Sequence, residues 1–236
     1  METIIFNNKN ALEDFGIWIA KEYELPFVEE EIEEIEVEGR SGTLIRRTGK
    51  YKDLSITLEL TATDITDYRP LIRKINKWLS EVEDDKLIFT SYRERHFKVK
   101  KITIGNIARD IARCGNFTVT FLCKPFYYSN SERWETVKTN SIVYNDGDIA
   151  SQPNLLLEGV SGNISIRING KETQFKGVTG AISINSELFR ATDGNGQSVT
   201  NKMVGDFPIL DTGKNTITYT GTIKTFKIIK NTIYKG

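Results

Sequence analysis

The sequence has few of the residues that most often carry catalysis. Its 236 residues include one histidine, His96, in the charged run Arg93-Glu94-Arg95-His96. Histidine is the usual acid or base near neutral pH, but a histidine among charged neighbours is predicted to be a solvated surface residue. No nucleophile-elbow glycine pattern accompanies it in the sequence. We therefore expect no catalytic residue and no enzyme activity.

Metal ligands and phosphate-binding loops are equally scarce. Cys114 and Cys123 with one histidine cannot complete a four-ligand zinc site. We expect both to be thiols that pack as small buried side chains. The run Asp193-Gly194-Asn195-Gly196 lacks the distal glutamate of a calcium loop and is predicted to be a turn. With no P-loop or dinucleotide-binding glycine pattern, we expect no metal and no cofactor.

Net charge and long apolar runs are also missing. The 32 basic and 32 acidic residues cancel, which disfavours a nucleic-acid partner held by an overall basic field. No stretch approaches the roughly 18 apolar residues of a membrane span, and METIIFNNKN does not resemble a signal peptide. We therefore expect a protein made in the cytosol, with no nucleic-acid or membrane partner.

The charges that are present are unevenly distributed. From Glu24 to Glu38 there are eight glutamates and no basic residue, and from Lys214 to Lys235 there are five lysines and no acidic residue. The acidic run permits a helix, but the alternation at its end favours an extended segment that is solvated or meets a basic neighbour. The basic end is interleaved with aromatics, which is compatible with single-stranded nucleic acid, but its alternation favours an ordinary sandwich strand.

Hydrophobic periodicity predicts two domains in a mainly β protein. In the first half, residues 54–60 and 117–121 alternate as strands, and residues 97–99 are expected to pair with residues 87–90. Residues 71–79 carry the apolar stripe of one helix, and Thr66 or Asp67 is suited to cap its start. We predict an N-terminal β-rich domain with one α-helix, covering residues 1–135.

The second half has the pattern of a β-sandwich. Residues 164–168 alternate and lead into Asn169-Gly170, a dipeptide suited to a tight hairpin turn. Further strands are predicted in residues 181–185, 215–220 and 223–229, separated by Gly-, Asn- and Asp-rich turns. We therefore expect a C-terminal domain covering residues 136–236.

Several short motifs follow one another along the chain, each a turn flanked by strands. They are Phe15-Gly16-Ile17, Val37-Glu38-Gly39-Arg40-Ser41-Gly42-Thr43-Leu44, Tyr51-Lys52-Asp53, Cys114-Gly115-Asn116-Phe117, Pro125-Phe126-Tyr127-Tyr128, Ser151-Gln152-Pro153, Gly205-Asp206-Phe207-Pro208-Ile209-Leu210 and Gly213-Lys214-Asn215-Thr216-Ile217. Their order and spacing, over nearly the whole chain, resemble those of the distal tail proteins of siphophages, the bacteriophages with long non-contractile tails.

The resemblance implies a structural virion protein. It implies an N-terminal domain that assembles into a hexameric ring at the tail tip, and a galectin-like C-terminal β-sandwich. The ring is then a hub that joins the tail tube to tail-tip and receptor-binding proteins, after assembly in the host cytoplasm. An alternative is a carbohydrate-binding module that makes a weak contact with the host cell wall. Against it, Trp18, Trp78 and Trp134 all lie outside the predicted sandwich strands.

Two groups of residues are candidates for specific roles. The structural group supplies turns and anchors; it consists of Gly39, Gly42, Phe207, Pro208, Gly213 and Asn215. The interface group supplies negative charge to a contact between subunits, because a cyclic ring joins two different surfaces whose opposite charges set register. It consists of Glu29, Glu30, Glu31, Glu33 and Glu34.

Overall fold

Strands dominate the chain, as the mainly β prediction required. The computed structural model describes residues 1–62, 68–105 and 115–235. The chain divides into two compact units, Met1–Asn130 together with Lys235, and Ser131–Tyr234. We call them the N-terminal unit and the C-terminal unit.

The N-terminal unit combines an antiparallel sheet with two helices. Its elements are β1 (Ile4–Phe6), β2 (Lys9–Asn10), α1 (Ala11–Phe15), β3 (Ile17–Ile19), β4 (Glu30–Glu36), β5 (Thr43–Tyr51), β6 (Leu54–Ala62), α2 (Tyr68–Ser80), β7 (Lys86–Phe89), β8 (Arg95–Ile104) and β9 (Asn116–Ser129). Within this unit the sheet has the order β2-β1-β7-β8-β9-β6-β3, and β4 and β5 form a separate two-stranded sheet.

The central strands follow from alternation in the sequence. In β6 the side chains of Leu54, Ile56 and Leu58 are buried, and the residues between them face solvent. Phe121 of β9 lies opposite Ile56 in the antiparallel register, so the apolar faces of both strands coincide. The predicted pairing of the strand at Leu87 with the strand at Phe97 is also confirmed.

Helix α2 covers part of this sheet with the predicted apolar stripe. Ile75, Trp78 and Leu79 are buried. The indole Nε1 of Trp78 donates a hydrogen bond to the carbonyl oxygen of Phe6 at 2.8 Å, which fixes the helix against β1. The cap that the sequence predicts at Thr66 or Asp67 lies outside the described residues.

A second, short helix, α1, was not predicted. The Oδ1 atom of Asn10 accepts hydrogen bonds from the backbone N–H groups of Leu12 and Glu13, which caps the start of the helix. Gly16 ends it with a positive φ of 66°. Five residues are too few to show a helical period, so only these two capping residues could have indicated the helix.

The C-terminal unit is built from strands that curl around one core. Its elements are β10 (Glu135–Thr136), β11 (Ser141–Asn145), β12 (Asn154–Ile168), β13 (Lys171–Asn185), β14 (Arg190–Asp193), a 3-10 helix (Thr200–Lys202), β15 (Met203–Gly205), β16 (Gly213–Thr222), β17 (Thr225–Ile229) and β18 (Ile233–Tyr234). Buried side chains such as Leu155, Leu157, Phe175, Ile182 and Phe226 form the core.

Two long strands, β12 and β13, bend and so take part in both halves of the sheet. β12 pairs with β17 through Asn154–Glu158 and, beyond register shifts, with β16 through Ser161–Ile168. A bulged strand can bend in this way and close a sheet over its own core. The hairpin that joins β12 to β13 turns at Asn169 and Gly170, whose φ angles of 52° and 83° confirm the predicted tight turn.

Candidate functional site

The acidic segment forms one strand of a hairpin, which we call the arm and define as residues 29–52. β4 pairs with β5 in antiparallel register, with Ile35 opposite Leu44 and Glu33 opposite Arg46. The extended interpretation of the segment is therefore confirmed, and the helical alternative is wrong. The basic neighbour that meets the acidic strand is a strand of the same chain.

The two predicted glycines lie in the turn of the arm. Gly39 and Gly42 have φ angles of +79° and +84°, and a Cβ added at either would meet no atom within 4 Å. The turn therefore favours glycine because of its backbone conformation and not because of crowding.

Three of the five candidate interface glutamates make ion pairs within the arm. Glu29 pairs with Lys52 at 3.1 Å, Glu30 with Arg47 at 2.8 Å and Glu33 with Arg46 at 3.5 Å. Such exposed pairs each contribute at most about 1 kcal/mol.

The other two candidate glutamates differ from these three. Among the described residues, the carboxylates of Glu31 and Glu34 have no ion-pair partner, and Glu36 is in the same situation. The side chains of Glu31, Glu34 and Glu36 are exposed, so their carboxylates remain available for a partner.

The arm also exposes apolar side chains on both faces. Strand alternation and register place Ile35, Val37 and Leu44 on one face and Ile32 and Ile45 on the other. All five are exposed, and Ile45 has 63% of its surface accessible. An isolated two-stranded hairpin is marginally stable in water, so an arm with two apolar faces is suited to being covered by another surface. These exposed apolar residues were not identified from the sequence, because those of β4 are interspersed among the glutamates.

A basic face lies on α2 in the same unit. Arg69, Arg73 and Lys74 are exposed there, opposite the stripe that packs on the sheet. Within the described part of the chain no acidic side chain forms an ion pair with any of the three. The N-terminal unit thus carries an acidic surface and a separate basic surface.

One of the predicted structural residues of the C-terminal unit, Asn215, is a buried amide with several hydrogen-bond partners. Asn215 is fully buried, and its Nδ2 donates to the carbonyl oxygens of Asp211 at 2.8 Å and Gly213 at 3.0 Å. Its Oδ1 accepts from the backbone N–H of Asp211 and from Nδ2 of Asn169, both at 2.8 Å. This side chain joins the turn before β16 to the turn between β12 and β13.

The other predicted anchors lie in the preceding loop. Pro208 is buried, and Phe207 is half-buried, packs against the core and meets Phe189 edge-on at 5.6 Å between ring centroids. Gly213 begins β16 with a φ of +77°.

The prediction for His96 was wrong. The residue is only 5% exposed and its ring stacks on Tyr128, its cross-strand neighbour in β9, at 5.5 Å. Neither ring nitrogen has a hydrogen-bond partner among the described residues. Burial, followed by the positive charges of Lys86 and Lys98, lowers the pKa of His96 to about 4. The charged residues that precede His96 in the sequence do not determine whether its own side chain points towards the core or towards solvent.

Because His96 is buried, the free energy of unfolding is expected to depend on pH. The pKa of His96 is 6.5 in an unfolded chain and about 4 in the fold. The unfolded state therefore binds the proton first, and stability present above pH 6.5 is lost as pH falls towards 4, by about 3 kcal/mol in total. We expect His96→Leu to reduce this loss, measured as the difference in urea-unfolding free energy between wild type and variant at each pH. A difference that stays constant with pH would contradict the assignment.

The described cysteine has the predicted structural character. Cys123 is buried in β9, and burial, with the nearby carboxylates of Asp53 and Asp85, raises its thiol pKa to about 12. Cys114 lies outside the described residues. Among those that are described, no group of three or more His, Cys, Asp and Glu side chains is placed to hold a metal ion. The helices in this part of the chain are also too short or too polar to cross a bilayer.

Two of the five lysines of the basic end, Lys227 and Lys230, pair with acids of their own unit. Lys227 lies 3.3 Å from Glu158, and Lys230 lies 3.2 Å from Glu135. Phe226 and Ile228 of β17 are buried between them, as the predicted alternation requires. These contacts support the structural interpretation of the basic end.

Comparisons with known proteins agree with this architecture. Residues 12–123 match the family described as phage tail protein RIFT-related domain. The whole chain is similar to the crystal structure of the Dit protein of phage SPP1, with a TM-score of 0.71 and 17% sequence identity over 99% of each chain. That protein is described as a paradigm of the hub adsorption apparatus in phages that infect Gram-positive bacteria. No curated protein matches the chain.

The family match covers much of the N-terminal unit, and the structural likeness extends over both units. The resemblance to siphophage distal tail proteins is therefore confirmed: residues 12–123 match the phage tail protein RIFT-related domain family, and the chain as a whole has the fold of the SPP1 Dit protein.

Proposed function

We propose that the protein is a structural component of a siphophage virion, in which six copies form a hub ring at the distal end of a long non-contractile tail. The observation that carries the proposal is the likeness of the entire chain to the SPP1 Dit protein. In this role the ring connects the tail tube to tail-tip and receptor-binding proteins, after assembly in the host cytoplasm. The chain is then a scaffold and not an enzyme.

The arm is the proposed contact between neighbouring copies. A ring requires that each copy present one surface to a different surface of the next. Glu31, Glu34 and Glu36 supply unpaired negative charge on the arm, and Arg69, Arg73 and Lys74 supply exposed positive charge on α2. We propose that the arm of one copy lies against α2 of the next.

The apolar residues of the arm supply the area that this contact buries. Charge complementarity sets register and partner choice, whereas burial of apolar surface supplies most of the free energy of association. Ile45 lies opposite Glu34, and alternation places Ile32 on the same face, so this face of the hairpin supplies both charge and apolar area. This division of roles explains how a chain with no net charge assembles with copies of itself.

Labelling of intact virions tests the proposed location. A gold-labelled antibody raised against the purified protein is expected to bind only at the tail end distal to the capsid. The same antibody, preadsorbed with purified protein, is the control and should leave the virions unlabelled. Label on the capsid, or along the tail shaft, would overturn the proposal.

A further inference from the structure

The C-terminal unit contains a cleft of about 590 Å³. Its apolar lining includes Phe189, Met203 and Phe207, and its polar lining includes Lys171 and Asp206. Sites for small ligands typically enclose roughly 300–1,000 Å³ and combine apolar walls with a few polar groups. The cleft has both the size and the mixed lining of such a site.

Phe189 lines the cleft, and most of its side chain is exposed to solvent. Its side chain is 64% accessible, although its φ angle of 50° lies in the left-handed region that side-chain-bearing residues rarely adopt. The backbone N–H of the preceding Leu188 donates to Oδ1 of Asn185 at 2.9 Å, which holds the turn. The ring meets Phe207 nearly perpendicularly, at 84°. An aromatic ring is thus presented to solvent by a fixed turn.

A second part of the lining, around Gly205 and Asp206, is also held in place. Gly205 has a φ of +95°, and a Cβ there would lie 2.3 Å from the carbonyl oxygen of Glu172, so the two segments approach as only glycine allows. The hydroxyl of Thr173 donates to the carbonyl oxygen of Asp206 at 2.6 Å. These contacts fix the backbone that carries the Asp206 carboxylate.

The charges of the lining select against an anionic ligand. The lining contains one positive charge, that of Lys171, and two negative charges, those of Asp206 and Glu172. The carboxylate of Glu172 already pairs with Arg167 at 3.1 Å. A phosphate-rich or acidic polymer needs a surplus of cations, which this lining lacks. In the described residues the side chains of Gln152, Lys171 and Asp206 form no hydrogen bond or ion pair, so they can meet uncharged hydroxyl groups.

We propose that this cleft binds a neutral saccharide, with the ring of Phe189 packing on the C–H face of a sugar and with Asp206, Lys171 and Gln152 hydrogen-bonding to its hydroxyl groups. A pyranose presents such an apolar face and a polar rim, which matches an aromatic side chain beside uncompensated polar groups. The site would add recognition of a wall carbohydrate to the proposed hub role. It lies within one chain, so it does not depend on ring formation.

The test uses the intact protein and an array of neutral oligosaccharides that includes fragments of bacterial wall polysaccharides. We expect binding to at least one of them, and calorimetry with that oligosaccharide should give about tenfold weaker binding for Phe189→Ala. Asp206→Asn should weaken it as well, because the amide accepts fewer hydrogen bonds. Trp134→Ala is the matched control, since Trp134 is an exposed aromatic of the same unit outside the cleft, and it should bind as the wild type does.

Three results would overturn the proposal. One is the absence of binding to every neutral oligosaccharide, and another is equal affinity of Phe189→Ala and wild type. The third is a Phe189-dependent interaction with a purified tail protein when no saccharide binds, which would make the cleft a protein-docking surface. Melting curves should show both cleft variants folded, and light scattering should show their assembly unchanged, which separates this test from that of the hub.

Discussion

A variant with Glu31→Lys, Glu34→Lys and Glu36→Lys is expected to stay as single chains under conditions in which the wild type forms rings. These three glutamates make no ion pairs within the described residues, so their reversal leaves the arm's own pairs intact. In the proposed contact these glutamates lie near the basic residues of α2, and lysine in their place would bring like charges together, which costs several kcal/mol across an interface. Light scattering coupled to size-exclusion chromatography measures the outcome.

The matched experiment reverses the charge of the basic surface on α2. Arg69→Glu, Arg73→Glu and Lys74→Glu together should also prevent assembly, and combining both sets of three changes should restore it. Glutamate is a good helix former, so α2 is expected to persist in the variant. A control chain with Glu13→Lys, Glu83→Lys and Glu94→Lys alters net charge as the arm variant does, but on exposed acids outside the arm. If the arm variant still forms rings, or if the combined variant does not, the proposed pairing of arm and α2 is wrong.

Asn215→Ala is expected to lower the unfolding free energy of the C-terminal unit by about 3 kcal/mol. The change removes a fully buried amide that satisfies two backbone carbonyl oxygens and accepts hydrogen bonds from Asp211 and Asn169. Each buried group left without a partner costs about 1–3 kcal/mol, and the cavity of the lost side chain adds to this. Urea unfolding followed by a signal from the C-terminal unit measures the effect.

Lys214→Ala provides the comparison, because Lys214 is the exposed neighbour of Asn215 on the same strand. It should change the unfolding free energy by no more than about 0.5 kcal/mol. Asn215→Asp tests the donors separately, since it keeps the oxygen acceptor but loses the amide group that donates to Asp211 and Gly213. Asn215→Ala unfolding at the wild-type urea concentration would show that the amide does not join the two turns.

The elements that the sequence predicted correctly are those whose pattern is local and repeated. The alternation of residues 54–60 and the helical stripe that contains Ile75 and Trp78 each extend across several side chains, so a single secondary structure accounts for each pattern. The Asn169-Gly170 turn was equally clear, because two adjacent residues must both adopt positive φ.

The features that escaped prediction depend on contacts between distant parts of the chain. His96 is buried because it stacks on Tyr128, and the charged residues before it gave no sign of that pairing. The acidic strand of the arm was recognised as extended, but its partner carrying Arg46 and Arg47 became evident only from the register. Phe189 was missed because its exposure follows from a turn with a positive φ at a residue other than glycine.

The mass of the purified wild-type protein in solution tests the central claim most directly. Size-exclusion chromatography with light scattering should give six times the 26.9 kDa of one chain, and negative-stain images of the same fraction should show rings with six-fold symmetry. A mass of one chain at high protein concentration, with no rings in the images, would contradict the account of this protein as the hub of a phage tail.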